Sequence, residues 1–302
     1  MRNKIALQFS VLLLLGTAIF AEEFRPISNP VFVDSPEVGT SVRPIFMYHS
    51  FPDKVNTTLG EVPLGGDLQL YALQFEIQLA ENLSLIAVKD GYIDFNPDNT
   101  DEGMFSDQEG WADLAAGLKY VFFRDEDARL VASAKVVVEI PIGDDDVWQG
   151  NGDGTMSPAV AVAKQSGPWN LQGTLGYIQA FNDEDSSMLY DAWHVSYAIE
   201  HKIFPLIELN HFHVTSAGDG GTRFNSQVGG AVPSVAKFEG GDLVNLGASN
   251  SGDHPDLVTL AFGARIQITE SIYGGLAYEI PLTQDKDGLI KDRITLDMVI
   301  NF

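Results

Sequence analysis

The chain contains no cysteine. No disulfide can staple it and no lipidated N-terminal cysteine can anchor it, so packing and hydrogen bonding must hold the fold together. Basic residues are scarce as well, with 18 Lys and Arg against 42 Asp and Glu and a formal charge of −24. Phosphate backbones are bound through basic patches, which excludes nucleic acid as a partner class. A disordered acidic tail is excluded too, because 45% of the residues are hydrophobic and the acids fall in short scattered clusters. The last absence is of long apolar runs. Beyond the N-terminus nothing approaches the roughly 18 residues a membrane helix requires. If the chain sits in a bilayer, it must do so as a closed barrel, whose backbone groups are all paired.

The N-terminus reads MRNKIALQFSVLLLLGTAIFAEE, with Arg2 and Lys4 ahead of an apolar core from Ile5 to Phe20. This pattern predicts a secretory signal peptide over residues 1–21, cleaved after Ala21 or, because Ile19 is bulky for its position, after Ala18. Residues 22–42 carry three prolines and no clean period, so they are expected to form an irregular leader. The expected barrel then covers residues 43–302.

From residue 43 onward the pattern is one of alternation. The last ten residues, RITLDMVINF, place Ile294, Leu296, Met298, Ile300 and Phe302 on one face, with Arg293, Thr295, Asp297 and Asn301 on the other. A period of two over the whole segment is a strand with one apolar face and one polar face. The same pattern recurs in WADLAAGLKYVFF (111–123) and LVASAKVVVEI (130–140). In DLQLYALQFEIQLA (67–80) the phase slips near Ala72, which predicts a β-bulge there. Several runs hold their alternation for ten to thirteen residues, whereas soluble strands average about five or six and tilted membrane strands need about nine to eleven.

Connections alternate as well. Short turns at 80–82, 124–128, 165–168, 202–204 and 269–270 take turns with long acidic segments at 52–66, 96–110, 141–154, 182–187, 215–256 and 283–290. That is the arrangement of short periplasmic turns and longer external loops in an outer-membrane barrel. If the closing strand descends to the periplasm, parity keeps 215–256 wholly external and makes 43–51 the first strand. The predicted fold is all-β: an antiparallel transmembrane β-barrel of about twelve strands, with ten and fourteen as the alternatives. Phe122, Trp169, Phe204, Tyr273 and Phe302 lie at the short-turn ends and are expected to form a lower aromatic girdle.

Several motifs give the chain a family resemblance: GLKYVF, VVVEIPIGDDD with its glycine-rich loop, WNLQGTLGY, PLIELN, and AYEIPLTQDKDGLIKDRITLDMVINF. Over roughly residues 67–302 it resembles the bacterial outer-membrane proteins named for the MetA pathway of phenol degradation. The resemblance implies a barrel of this size and uptake of small, often aromatic, molecules, and it carries no catalytic residues and no cofactor. The chain end also resembles the C-terminal assembly signal of such barrels, carried here by Ile294, Leu296, Met298, Ile300 and Phe302. The implied partners are outer-membrane lipid, the barrel-assembly machinery and a small-molecule permeant.

Lipid-facing apolar residues leave the opposite face for the lumen, which is expected to be lined by Glu76, Lys119, Lys135, Glu139, His194, Arg265, Glu279, Arg293 and Asp297, with Glu200 and Gln267 nearby. Charges placed there need partners or water. They either select permeants or, as a salt-bridged filling, close a narrow barrel. A closed barrel acting through its acidic external loops is therefore the alternative function. His194, Ser196 and Glu200 share a face, a coincidence that any strand offers, and no enzyme is expected. His211 and His213 share a face that Glu208 does not, so no metal site is expected from that strand. DDDVWQGNGDG lacks the spacing of a calcium loop and reads as solvated surface.

Overall fold

The structure is a computed structural model, and it describes residues 32, 33, 35–98, 106–222, 224 and 232–302. The expected signal peptide (1–21) and the first part of the expected leader lie outside the described residues. The first strand, β1 (Ser41–Ser50), is followed by an external hairpin of β2 (Lys54–Thr57) and β3 (Gly60–Pro63), and then by β4 (Asp67–Ala80). The third barrel strand is split into β5 (Leu83–Lys89) and β6 (Tyr92–Asn96), and the fourth into β7 (Gln108–Trp111) and β8 (Leu114–Asp125). Unbroken strands complete the wall: β9 (Leu130–Ile140), β10 (Thr155–Ser166), β11 (Trp169–Ala180), β12 (Ser187–Tyr197), β13 (Ile203–Ser216), β14 (Asp256–Gln267), β15 (Ile272–Pro281) and β16 (Asp292–Asn301).

Every neighbour pair in the wall is antiparallel, and β1 pairs with β16 on one side and β4 on the other, so the sheet closes into twelve strands. Closure runs through Phe46 opposite Leu296 and Ser41 opposite Asn301. The count predicted from turn parity is the count found. Among the described residues no helix is long and apolar enough to cross a membrane.

The outer wall is apolar where it meets lipid. Leu114, Leu118 and Tyr120 on β8, Val136 and Val138 on β9, and Ile294, Leu296 and Met298 on β16 are all exposed. In water such a belt would be prohibitive; in a bilayer it is the favourable surface, so the chain is a transmembrane barrel of the bacterial outer membrane.

Three local expectations are corrected. The β1–β4 register runs unbroken through Ala72, so no bulge lies there. The chain is instead interrupted in the next strand, where Gly91 takes a φ of 133° and Asp90 accepts the Leu73 N–H at 3.0 Å. The slip in the pattern arises because Leu68 and Leu70 point inward and pack in an apolar cluster beneath the external loops. Their period never changes; the environment of the inner face does. Phe204 is buried and Tyr273 faces the lumen, so the lower girdle consists of Phe122, Trp169 and Phe302, with the Tyr197 ring edge-on to Trp169 at 4.8 Å. Finally, β12 ends at Tyr197 and the turn lies at 198–202, with Glu200 and His201 in the left-handed region at φ 49° and 55°. Glu200 is consequently exposed at the periplasmic end and does not line the lumen.

Candidate functional site: the barrel lumen

Residues 32, 33 and 35–40 form no strand, and Pro36 has no N–H to give, so the amides of this segment need partners from elsewhere. The inner wall supplies them. At the periplasmic end the Thr40 carbonyl accepts the Phe302 N–H at 3.0 Å, tying the start of β1 to the chain end. Further in, Glu76 accepts the Gly39 N–H (3.1 Å) and pairs with Lys119 (2.8 Å), while Lys119 also donates to the Ser35 carbonyl (3.2 Å). Glu37 pairs with Arg124 at the mouth. Higher still, the Glu208 Oε1 accepts the N–H groups of Phe32 and Val33 at 2.9 and 3.1 Å. The Phe32 ring sits edge-on to Tyr190 (5.4 Å) and Phe212 (5.1 Å), beside Leu257 and Ile290. The described part of the leader thus runs inside the lumen from the periplasmic end up to Phe32 in an aromatic slot.

Two charge networks brace the wall around it. Asp297 on β16 lies between Arg43 of β1 (2.6 Å) and Arg265 of β14 (2.8 Å). The strand between β14 and β16 carries Gly275 at this level, opposite both Arg265 and Asp297. A Cβ there would lie 2.1 Å from Asp297 Oδ1, so only glycine leaves room for the bridge. Nearer the outer rim Arg293 donates to both carboxylate oxygens of Asp242 (2.8 and 3.0 Å), to Glu279 (3.3 Å) and, through Nε, to His49 Nδ1 (3.2 Å). A bidentate guanidinium–carboxylate pair is among the stronger and more directional polar contacts. Here it fastens the long external loop into the barrel.

The external loops form a lid with its own apolar core. Trp148, in the left-handed region at φ 61°, lies among Phe95 (5.0 Å), Phe224 (5.8 Å) and Phe51 (6.2 Å). Leu243, Val244 and Leu246, whose run in the sequence invites reading as a strand, are part of this core and do not cross the membrane. Asp113 Oδ1 anchors the 141–154 loop by accepting the N–H groups of Gly143 and Gly150, both at 2.9 Å. Glu239 joins two loops, accepting Ser186 Oγ (2.6 Å) and the N–H groups of Leu246 and Ala248 (2.7 Å each). Burial pushes Glu239 up to about 7 despite these donors. Asp185 also rises to about 7, from burial first and then from the charges of Glu139, Glu239 and Asp113. Burial likewise acts to raise Asp242, but the Arg293 guanidinium overrides it and holds the carboxyl below its ordinary range.

Below this lid, a cavity of about 1400 Å³ opens to the periplasm and is bounded by the leader and the wall. Lys135, Gln267 and the Glu76–Lys119 pair line it, with Arg43 and Arg265 at its roof. Glu139 faces inward at the outer end, paired with Lys89 at 2.7 Å. His194 is buried, with Nε2 3.0 Å from Ser196 Oγ, opposite Glu208 in the β12–β13 register. Because Glu200 sits in the periplasmic turn, the structure does not bring it to the His194–Ser196 pair. Glu208, Asp242, Arg43 and Phe32 are lumen residues that strand periodicity did not single out. Of these, Arg43 was within reach, since it shares the inner parity of β1; Phe32 and Asp242 lie outside any periodic segment.

The comparisons with known proteins agree with this geometry. The model of the family described as "Putative MetA-pathway of phenol degradation" matches residues 52–268. No curated protein sequence matches the chain. Among solved structures, the COG4313 outer membrane channel from Pseudomonas putida F1 is 16% identical, with a TM-score of 0.60 over 91% of this chain and 99% of that one. The NanC porin is 9% identical, with a TM-score of 0.50 over 87% of this chain and 100% of that one. At such identities the likeness is one of fold.

Proposed function

This chain belongs to the family of the MetA pathway of phenol degradation, and from that premise we propose that it is an outer-membrane channel for a small molecule of aromatic or otherwise apolar class. The observation that carries the reading is the aromatic slot of Tyr190 and Phe212, which the chain's own Phe32 fills inside the barrel, above the separate cavity that opens to the periplasm. A side chain that stands in the slot occupies the place a small aromatic permeant would take. The leader is the closure. Its hold in the upper lumen consists of two N–H groups on a carboxylate, about 1.5–3 kcal/mol each, and edge-on ring contacts of about 0.5–1.5 kcal/mol each. Ordering a residue costs about 1–2 kcal/mol, so the net hold is small enough to be reversible. Asn210 Oδ1 and His194 Nδ1, buried without hydrogen-bond partners among the described residues, offer polar contacts along the path.

The test is conductance in planar bilayers and swelling of liposomes in small aromatic solutes, for the full mature chain and for a form lacking residues 22–39. The full chain should pass current in brief openings and the shortened form continuously. If neither form passes any small solute, the channel reading is overturned. The ordered lid favours the second reading, a closed barrel that binds a partner through its external loops, and exchanging the segment 217–255 would then abolish binding.

A further inference from the structure

On the outside of the barrel, at its outer rim, three neighbouring strands bring four polar side chains together. His211 and His213 of β13 face outward, and the Asp256 Oδ1 at the start of β14 lies between them, 2.9 Å from His211 Nε2 and 2.7 Å from His213 Nδ1. Single-strand parity could not show this, because the carboxylate comes from the next strand, opposite His213 in the register. Behind them, Asp191 of β12 accepts from His211 Nδ1 at 3.0 Å and is itself held by the Trp193 indole N–H at 2.8 Å.

We propose that His211 Nε2, His213 Nδ1 and Asp256 Oδ1 form a binding site for a divalent transition metal of the zinc class. One ligand atom from each residue lies within 4.8 Å of the others. Ligands on a tetrahedral zinc stand about 3.3 Å apart, given metal–ligand bonds of about 2.0–2.1 Å, so side-chain rotations of about 1–1.5 Å close the set. Two imidazoles and one carboxylate suit zinc, copper or nickel and disfavour magnesium and calcium, which take oxygen ligands. Asp191 supplies the second feature of a metal site. A ligating histidine commonly donates its other ring N–H to a carboxylate, which fixes the tautomer that leaves Nε2 free to coordinate. The Asp191–His211 hydrogen bond has that geometry before any metal arrives, and the Trp193 N–H locks the carboxylate in turn.

The location gives the site a structural consequence. β13 ends at Ser216 and β14 begins at Asp256. His213 and Asp256 therefore stand on the two stems of the long external loop, and a metal shared between them clips that loop at its base. Three protein ligands leave one or two coordination positions open to water or to an anionic group at the membrane surface.

The test uses tag-free full-length protein, refolded in detergent and stripped of metal, with heat-modifiable gel migration to confirm that each variant is a closed barrel. Isothermal titration with Zn²⁺ should show one equivalent bound, with no uptake of Mg²⁺ or Ca²⁺ at the same concentrations. His211→Ala with His213→Ala, and separately Asp256→Asn, should abolish that uptake. Asp191 is a positioning residue. Asp191→Asn should weaken affinity about 10- to 100-fold while leaving the stoichiometry at one, and Asp191→Glu should recover part of the loss. Zn²⁺ should also slow proteolysis within 217–255 in the wild-type protein and in none of the ligand variants. Absence of stoichiometric uptake by the folded wild-type barrel, or equal uptake by the double-histidine variant, overturns the proposal.

Discussion

The carboxylate of Glu208, on the inner wall of β13, accepts the backbone N–H of Val33 at 3.1 Å, and that of Phe32 at 2.9 Å through the same oxygen. A residue near the start of the described chain is thus held in mid-barrel by one far along it. Glu208→Ala combined with Phe32→Ala removes both the acceptor and the ring that fills the slot. The expected outcome in bilayer recordings is a several-fold rise in the time-averaged conductance, with heat-modifiable migration unchanged. A double variant that conducts like the wild type would show that the leader does not control the path.

The Arg43–Asp297–Arg265 network has a different signature. Asp297→Asn leaves two buried guanidinium groups without their carboxylate, and losing one partner of a buried pair costs about 3–5 kcal/mol. Gly275→Ala leaves every charge in place but drives a methyl group to 2.1 Å from Asp297 Oδ1; overpacking of this kind costs about 1–3 kcal/mol. Urea unfolding in detergent should rank the variants in that order. Reversal-potential measurements should in addition show that Asp297→Asn shifts selectivity toward anions, since a negative charge has left the roof of the cavity.

The lid should loosen with rising pH. Asp185 and Glu239 both sit near 7 in the folded lid, above their unfolded values of about 3.9 and 4.3. A group with a raised folded pKa binds its proton more tightly when folded, so the stability it contributes is complete below the unfolded pKa and is lost as pH climbs to the folded one. Corrected for the intrinsic rate, amide exchange within 217–255 should therefore be slowest at about pH 4 and accelerate up to about pH 7. In the Asp185→Asn, Glu239→Gln double variant the pH dependence should flatten beyond the intrinsic exchange rate. A wild-type profile already flat after that correction would count against this origin.

The chain end makes a prediction about assembly. Phe302 is 83% exposed at the periplasmic rim, although its backbone N–H is bonded to Thr40. Its ring therefore packs against little of the barrel's own wall and is available as a recognition element before the girdle meets lipid. Deleting Phe302 should reduce the fraction of protein reaching the outer membrane of cells, measured by fractionation, while refolding into detergent micelles proceeds as for the full chain. Equal loss in both settings would show that the residue acts on stability and not on recognition.

The expectations that failed have a common cause. Leu68 and Leu70 suggested a bulge because inward-facing residues were taken to be polar, yet at that height the inner face meets the apolar core of the lid. Phe204 and Tyr273 were assigned to a lipid-side girdle from their height alone, and their strand parity turns them into the cavity. His211 and His213 have no third ligand on their own strand, and the carboxylate on which the proposed metal site depends, Asp256, comes from the neighbouring one.

What the sequence determined by itself was the barrel: antiparallel strands, about twelve of them, and the alternation of apolar and polar faces along each. Lipid imposes that order locally, since every second residue must be apolar over a membrane-spanning length, and a local rule leaves a periodic trace that can be read residue by residue. Only the tertiary structure decided what fills the barrel. The leader on Glu208, the loop on Arg293 and the Asp297 bridge across Gly275 join residues far apart in the chain, through contacts made once each. Such contacts have no period, so nothing in the spacing of residues announces them, and they appear only when the strand order closes the wall and brings its inner faces together.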